Sequence, residues 1–232
     1  MRLPRLLAGS RAVLLAGATA LVALLVWVFG FSSVLGVRHV RIDGTAKVDA
    51  AEVLGAAEIA QGEPMLRVDT SAVQARVEAI PAVASARVEL ALPTTVRITV
   101  TERVPVGYVV QAGGVRLIDK TGRQYASLAA PPAKLPRFDI PAENGLGNDK
   151  GLDAVGRAVT TVAATLPPDV LSRLSSISAQ SESAIELKVI DGRIVRWGSA
   201  EHSTEKAAVL VPLLAAHNTL IDVSDPTLVY SR

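Results

Sequence analysis

Between Arg87 and Arg103 the chain reads RVELALPTTVRITVTER. Ala86, Val88 and Leu90 are apolar before a Pro93-Thr94 turn, and Val96, Ile98 and Val100 are apolar after it. Arg87 and Glu89, then Arg97, Thr99 and Thr101, take the alternate positions. Successive side chains of a strand point to opposite faces. A period of two therefore predicts an antiparallel pair with one face in a core and one in water.

Upstream the period changes. VRHVRIDG has Val37, Val40 and Ile42 as apolar positions and stops at Asp43-Gly44, the pattern of a short strand. Asp49 is placed to cap a helix in which Val53, Leu54 and Ala57 fall at helical spacing. Gly62 and Pro64 break it. A second helix is predicted where Asp69, Thr70 or Ser71 can cap and Val73, Val77 and Ile80 recur, with Pro81 as its stop. The order is strand, helix, helix, strand, strand. Two helices on one face of a three-stranded sheet would cover the even-numbered face of the hairpin.

Downstream, Val104-Pro105 begins a new unit. Val106–Val110 predicts a strand, Gly113-Gly114 a turn into VRLID, and Asp119–Gly122 a turn into RQYASL. The proline-rich APPAKLPRF predicts a loop or a sheet edge. Asn144–Asn148 reads as loop. Asp149–Leu166 reads as a helix with Leu152, Val155, Val159 and Val162 on one side, ended by Pro167-Pro168. Short strands follow near Leu174–Ala179, Ala184–Val189 and Arg193–Trp197, with Asp191-Gly192 as a hairpin turn. Ser203 or Thr204 is placed to cap a helix whose stripe is Ala207, Leu210, Val211 and Leu214. LIDVSDPTLVYSR then gives a strand, a break at Asp225-Pro226 and a terminal stretch, Thr227–Tyr230.

One segment has neither period. Ala12 to Val37 reads AVLLAGATALVALLVWVFGFSSVLGV without a charge. About 20 apolar residues cross a bilayer as a helix. Trp27 and Phe29 are placed for the outer interface. Arg2, Arg5 and Arg11 precede the run and no acid does. A positive flank stays in the cytoplasm, which predicts an inside N-terminus and everything after the span outside. The run is longer than the apolar region of a cleaved signal, and Ser33–Gly36 make a weak cleavage site, so an uncleaved anchor is expected.

Charge follows the same division. Three of the 24 basic residues lie in the first 11 positions, while all 22 acidic residues lie beyond the anchor. The outer part therefore carries a net charge of −1. That leaves no basic stripe for nucleic acid. Cysteine is absent, which excludes thiol nucleophiles, disulfides and thiolate metal sites.

Candidate chemistry is sparse. His39, His202 and His217 are not spaced as a metal pair. Ser203–Lys206 forms S-x-x-K and Lys120–Gly122 forms K-T-G, two elements of serine β-lactamases and penicillin-binding proteins. The S-D-N element is missing and the order is reversed. Ser203 reads better as a helix cap and Lys120–Gly122 as a turn. Gly113-Gly114 lacks the lysine of a phosphate loop. The acids read as a solvated surface, and Trp197 as core or a buried edge.

A longer pattern runs through Ile80, Pro81, Val83, Ala86, Val88, Pro93, Thr95, Val96, Ile98, Val100, Glu102 and Arg103. Together with the element order, it resembles a POTRA domain of the bacterial FtsQ/DivIB cell-division family. WGSAEHSTEKAAVLVPLL and LIDVSDP resemble the helix and closing strands of that family's larger β-domain. The resemblance implies an α+β chain: a cytoplasmic tail at 1–11, a transmembrane helix at 12–35, a β-α-α-β-β POTRA domain at 37–104, and a β-rich domain with two helices at 105–232. It implies a non-enzymatic divisome scaffold in the cell membrane, gathered at the septum, with no cofactor or metal.

In that family, division proteins of the FtsB and FtsL type bind the last strand of the β-domain, and the POTRA domain serves recruitment of other divisome proteins. Carried over, this marks Thr227, Leu228, Val229 and Tyr230 as the docking segment, with Tyr230 as aromatic anchor. A sheet edge suits such a role because its unpaired N–H and C=O groups can be completed by a partner strand. Arg87, Glu89, Arg97, Thr99 and Thr101 form a second surface, open between docking and plain solvation. A POTRA-bearing protein of secretion or outer-membrane assembly is the alternative, although barrel strands are missing. A membrane-anchored envelope enzyme is another, although no convergent catalytic set supports it.

Overall fold

Residues 15–21, 36–111, 114–140, 154–215, 220–225 and 230–231 are described by the structure, a computed structural model. The chain divides after Glu102 into two units. Residues 15–21 are helical. The rest of the expected 12–35 span lies outside the described residues, and no described helix is long and apolar enough to cross a membrane.

In the first unit β1 (His39–Asp43) is followed by α1 (Ala50–Ala57), a 3-10 turn (Met65–Arg67), α2 (Thr70–Glu78), β2 (Val83–Ala91) and β3 (Thr95–Glu102). Both helices begin as their sequences predict. The Asp49 side chain accepts from the Ala51 amide at 2.9 Å, and that of Asp69 from Ser71 and Ala72, each at 3.0 Å. These bonds satisfy donors that a helix leaves open at its start. Arg76 reaches from α2 to the Ala57 carbonyl at 2.6 Å and the Ala56 carbonyl at 3.3 Å, closing the opposite end of α1.

The sheet order is β1-β3-β2, with β1 parallel and β2 antiparallel to the central strand. Val96, Ile98 and Val100 are buried beneath Val53, Ala57, Val73 and Val77. Burial of each such side chain stabilises by about 1.5–3 kcal/mol. Leu54, expected in the α1 stripe, is 47% exposed. Val53 and Ala57 are one turn apart and share the inner face, whereas Leu54 lies about 100° around the helix from Val53.

The second unit is a nine-stranded sheet with helices on one face. Its strands are β4 (Pro105–Gln111), β5 (Gly114–Asp119), β6 (Gln124–Leu128), β7 (Arg137–Asp139), β8 (Leu174–Ala179), β9 (Ile185–Val189), β10 (Ile194–Gly198), β11 (Leu220–Asp222) and β12 (Tyr230–Ser231). Their order is β12-β11-β10-β9-β8-β7-β4-β5-β6. The helices are α3 (Ala154–Thr165), α4 (Pro168–Leu171) and α5 (Ser203–Leu213). Ile177, Leu187, Val195 and Trp197 from the sheet meet Val159, Val162, Leu210 and Leu214 from the helices in one core.

Three expectations need correction here. The proline-rich stretch is not only loop or edge, because it ends in β7, an interior strand parallel to both β4 and β8. Pro136 stands just before the strand, where its missing N–H does no harm, and its carbonyl accepts from the Tyr108 amide at 3.1 Å. The second unit has three helices among the described residues rather than two. Pro167-Pro168 follows the end of α3, but Pro168 also opens α4, since proline suits a first helical position. Val211, expected in the α5 stripe, is 43% exposed while Ala207, Leu210 and Leu214 are buried.

Candidate functional site

β12 is the outermost strand of the nine. It pairs antiparallel with β11 through Ile221↔Ser231 and Asp222↔Tyr230, and β11 runs parallel to β10. Among the described residues its other side therefore forms an edge of the sheet. The backbone of Tyr230 lies in that edge strand. Thr227, Leu228 and Val229 lie outside the described residues.

The strands that carry the edge rest on an irregular junction. Arg196 is opposite Glu186 on β9 and Gly198 is opposite Ile185, so Trp197 is left without a partner in the register. This is a β-bulge, with one residue too many on β10. Gly198 adopts φ +77° and lies against Ser224, whose Cβ would be 3.0 Å from any Cβ added at position 198. Glycine accepts that backbone region without steric cost.

The buried Trp197 indole donates to Ser203 Oγ at 3.2 Å, and the Ser203 hydroxyl donates to the Ala200 carbonyl at 2.7 Å. Lys206 Nζ donates to the Trp197 carbonyl at 3.1 Å and the Ser199 carbonyl at 3.0 Å. Ser203 is thus not the cap of α5. His202 holds the cap position at φ +54° and makes no side-chain cap bond. Lys206 is only 2% exposed. Burial pushes its pKa below the ordinary lysine value, against the opposing pull of Glu201 and Asp225. The S-x-x-K serine and lysine are directed at backbone carbonyls, which is structural rather than nucleophilic chemistry.

The sheet face opposite the helices carries a groove of about 610 Å³ lined by Asp139, Ser178, Glu186, Arg196, Asp222 and Ser224, among others. Among its lining residues Arg196 lies 3.9 Å from Glu186, its register partner on β9. No cluster of three or more histidine or acidic side chains among the described residues could hold a metal ion.

The second candidate surface lies in the first unit. Arg87, Glu89, Arg97, Thr99 and Thr101 are all exposed on the outer face of β2 and β3. Asp43 of β1 joins them, 3.8 Å from Arg97 and 3.2 Å from Arg41, and Arg87 lies 3.9 Å from Glu89. The face carries both signs in alternation.

Two acids read as solvated surface have specific partners instead. Glu102 Oε1 accepts from the amides of Ala46, Lys47 and Val48 at 2.6, 2.7 and 2.8 Å. Those three bonds hold its pKa below the ordinary value, with Val48 the largest contributor. Asp119 pairs with Arg103 and also accepts from the Thr121 and Arg123 amides and the Thr121 hydroxyl. Burial opposes ionisation of Asp119, but the bonds from Thr121, Arg103 and Arg123 outweigh it and lower its pKa. The sequence signal for both is the Glu102-Arg103 pair, where charge interrupts the alternation at the end of the hairpin.

Comparison with known proteins follows this division. The model of the FtsQ-type POTRA domain matches residues 35–103, and that of the FtsQ/DivIB C-terminal domain matches residues 107–225. The cell division protein FtsQ of Mycolicibacterium smegmatis is 41% identical over 198 residues, covering 85% of this chain and 57% of that protein. The FtsQ of Streptomyces bingchenggensis is 34% identical over 98% of this chain and 86% of its own length. The FtsQ of Corynebacterium glutamicum is 29% identical over 95% of this chain and 97% of its own. The chain spans only 57%, 62% and 61% of three mycobacterial relatives. A solved extracytoplasmic domain of the cell-division protein DivIB from Geobacillus stearothermophilus is 19% identical, with a TM-score of 0.37 over 50% of this chain and 95% of that one.

Proposed function

Since the chain belongs to the FtsQ/DivIB family of cell-division proteins, we propose that it is a non-enzymatic scaffold of the division machinery that docks its partners on the β12 edge. The span at 12–35 anchors it in the cell membrane, with the N-terminus in the cytoplasm. The POTRA domain at 37–104 and the β-domain at 105–232 work outside. Division proteins of the FtsB and FtsL type complete the sheet beyond β12, and other divisome proteins use the POTRA domain.

The position of β12 at the end of the strand order supports this best. An added strand gains affinity from main-chain bonds and specificity from alternate side chains. Thr227, Leu228, Val229 and Tyr230 supply that surface. On the POTRA side, Arg87, Glu89, Arg97, Thr99 and Thr101 offer a mixed-charge face, which suits orientation of a partner more than tight binding.

The test is a pull-down of an FtsB-type partner with the full chain, comparing wild type with Tyr230→Ala plus Val229→Asp. The expected result is loss of recovery in the double variant. Equal recovery would remove the edge from the proposal. A fluorescent fusion is expected to gather at mid-cell, and depletion to block septation. Uniform membrane staining with normal division would remove the scaffold itself.

A further inference from the structure

We infer that Ser203 and Lys206 are positioning residues for the docking edge: they clamp the β-bulge at Trp197–Gly198, and the bulge sets where β11 ends and the turn toward β12 begins. The inference rests on the edge being the docking surface, and it assigns a role to the S-x-x-K residues that catalysis does not.

The first step is the lysine itself. Ser203 and Lys206 are three residues apart on α5, so they share a helix face, and that face is turned into the core. An ammonium group there is costly to bury, and packing alone would favour leucine or methionine. Lysine adds donors at the end of a long stem. Those donors meet the carbonyls of Trp197 and Ser199, on either side of Gly198. Trp197 is the residue that the bulge leaves out of register. A buried carbonyl without a donor destabilises the fold, so Lys206 stabilises the bulge rather than a regular ladder. Ser203 fixes the same residue from its side chain, through the Trp197 indole.

The second step runs from the bulge to the edge. The last register pair of β10 with β11 is Arg196↔Asp222, one residue before Trp197. The Val223 amide then donates to the Arg196 carbonyl at 3.0 Å. Gly198 accommodates Ser224 in the space its missing side chain leaves. Ser224 closes a turn by donating from its amide and its hydroxyl to Asp222 Oδ1, at 3.0 and 2.7 Å. Asp222 is also the residue opposite Tyr230. The two described register pairs that join β12 to the sheet, at Ile221 and Asp222, thus lie beside the clamped bulge's neighbour on β11.

The experiment is hydrogen exchange on the full chain in detergent micelles, comparing wild type, Lys206→Met and Val159→Ala. Val159 sits in the same core but on α3, away from the bulge, and gives a general destabilisation for reference. Lys206→Met is expected to speed exchange at the Ile221 and Val223 amides about tenfold more than at α3 amides, the scale of a lost charged hydrogen bond. Val159→Ala is expected to lack that bias. Equal acceleration everywhere in Lys206→Met would overturn the inference. If that variant fails to fold, Ser203→Ala is read by the same ratio, with the same two outcomes. The pull-down with an FtsB-type partner separates this inference from the reading beneath it. Biased exchange with reduced recovery is expected. Biased exchange with full recovery keeps the clamp and overturns docking at the edge.

Discussion

Arg103 donates to Asp119 with both side chains almost withdrawn from water, at 8% and 4% exposure. Two charges are removed from solvent together. Asp119 is further tied to Thr121 and Arg123, so its second oxygen closes the turn between β5 and β6. The first residue of the second unit is therefore bonded into its sheet rather than left as linker.

Removing Arg103 leaves the Asp119 carboxylate buried without its ion-pair partner, with only the hydrogen bonds on its other oxygen. Arg103→Ala is expected to cost the second unit about 3–5 kcal/mol. Chemical denaturation followed by Trp197 fluorescence should report it, because that indole lies in the second core.

The same geometry fixes a pH dependence. Asp119 and Glu102 both hold their protons less tightly when folded than their ordinary values of 3.8 and 4.5. The unfolded chain then binds more protons in the acid range. The stabilisation is present above those ordinary values and is lost as pH falls through the lowered ones. Thermal midpoints are expected to drop as pH falls below those ordinary values, and the drop should be shallower in Asp119→Asn.

Glu102 gathers three consecutive amides, so its removal should act locally. Glu102→Ala is expected to speed hydrogen exchange at Ala46, Lys47 and Val48 while the amides of β3 upstream keep their protection. Uniform acceleration across the first unit would contradict that role.

Gly107 has no room for a side chain. A Cβ there would meet the Phe138 ring, with Cε1 2.2 Å away. Gly107→Ala is expected to destabilise the second unit by about 1–3 kcal/mol, by displacing the ring and with it β7. Thermal unfolding measures it, and a neutral result would mean that Phe138 has another rotamer to occupy.

What the sequence reveals depends on how far each pattern runs. β2 and β3 are legible because one alternation runs on both sides of the Pro93-Thr94 turn, and the structure buries Ala86, Val96, Ile98 and Val100 and half-buries Val88 and Leu90 on the even face. The caps at Asp49 and Asp69 are legible because one side chain and two amides define them. β7 is not, since Arg137–Asp139 is too short to show a period and follows three prolines in eight residues. Ser203 and Lys206 mislead for another reason. A serine at a helix start looks like a cap, and nothing in the local pattern marks the lysine three residues on as buried. The bulge at the end of β10, a register irregularity that no period reveals, supplies the carbonyls that Lys206 reaches. The docking role of Thr227, Leu228, Val229 and Tyr230 comes from the family resemblance, because a two-residue strand at Tyr230–Ser231 carries no period of its own.

The three residues of β7 also govern how load would travel. β4, β5 and β6 form one antiparallel block, β8 to β12 form a mixed one, and β7 stands between them in the strand order of the described residues. Its register with β4 consists of the single pair Tyr108↔Arg137. Strands in a sheet act as springs in series, and the softest join yields first. A pull on the β12 edge would cross five strands before it met this seam, the narrowest ladder in the sheet, and the sheet is expected to part there once the α3 packing beneath it gives way.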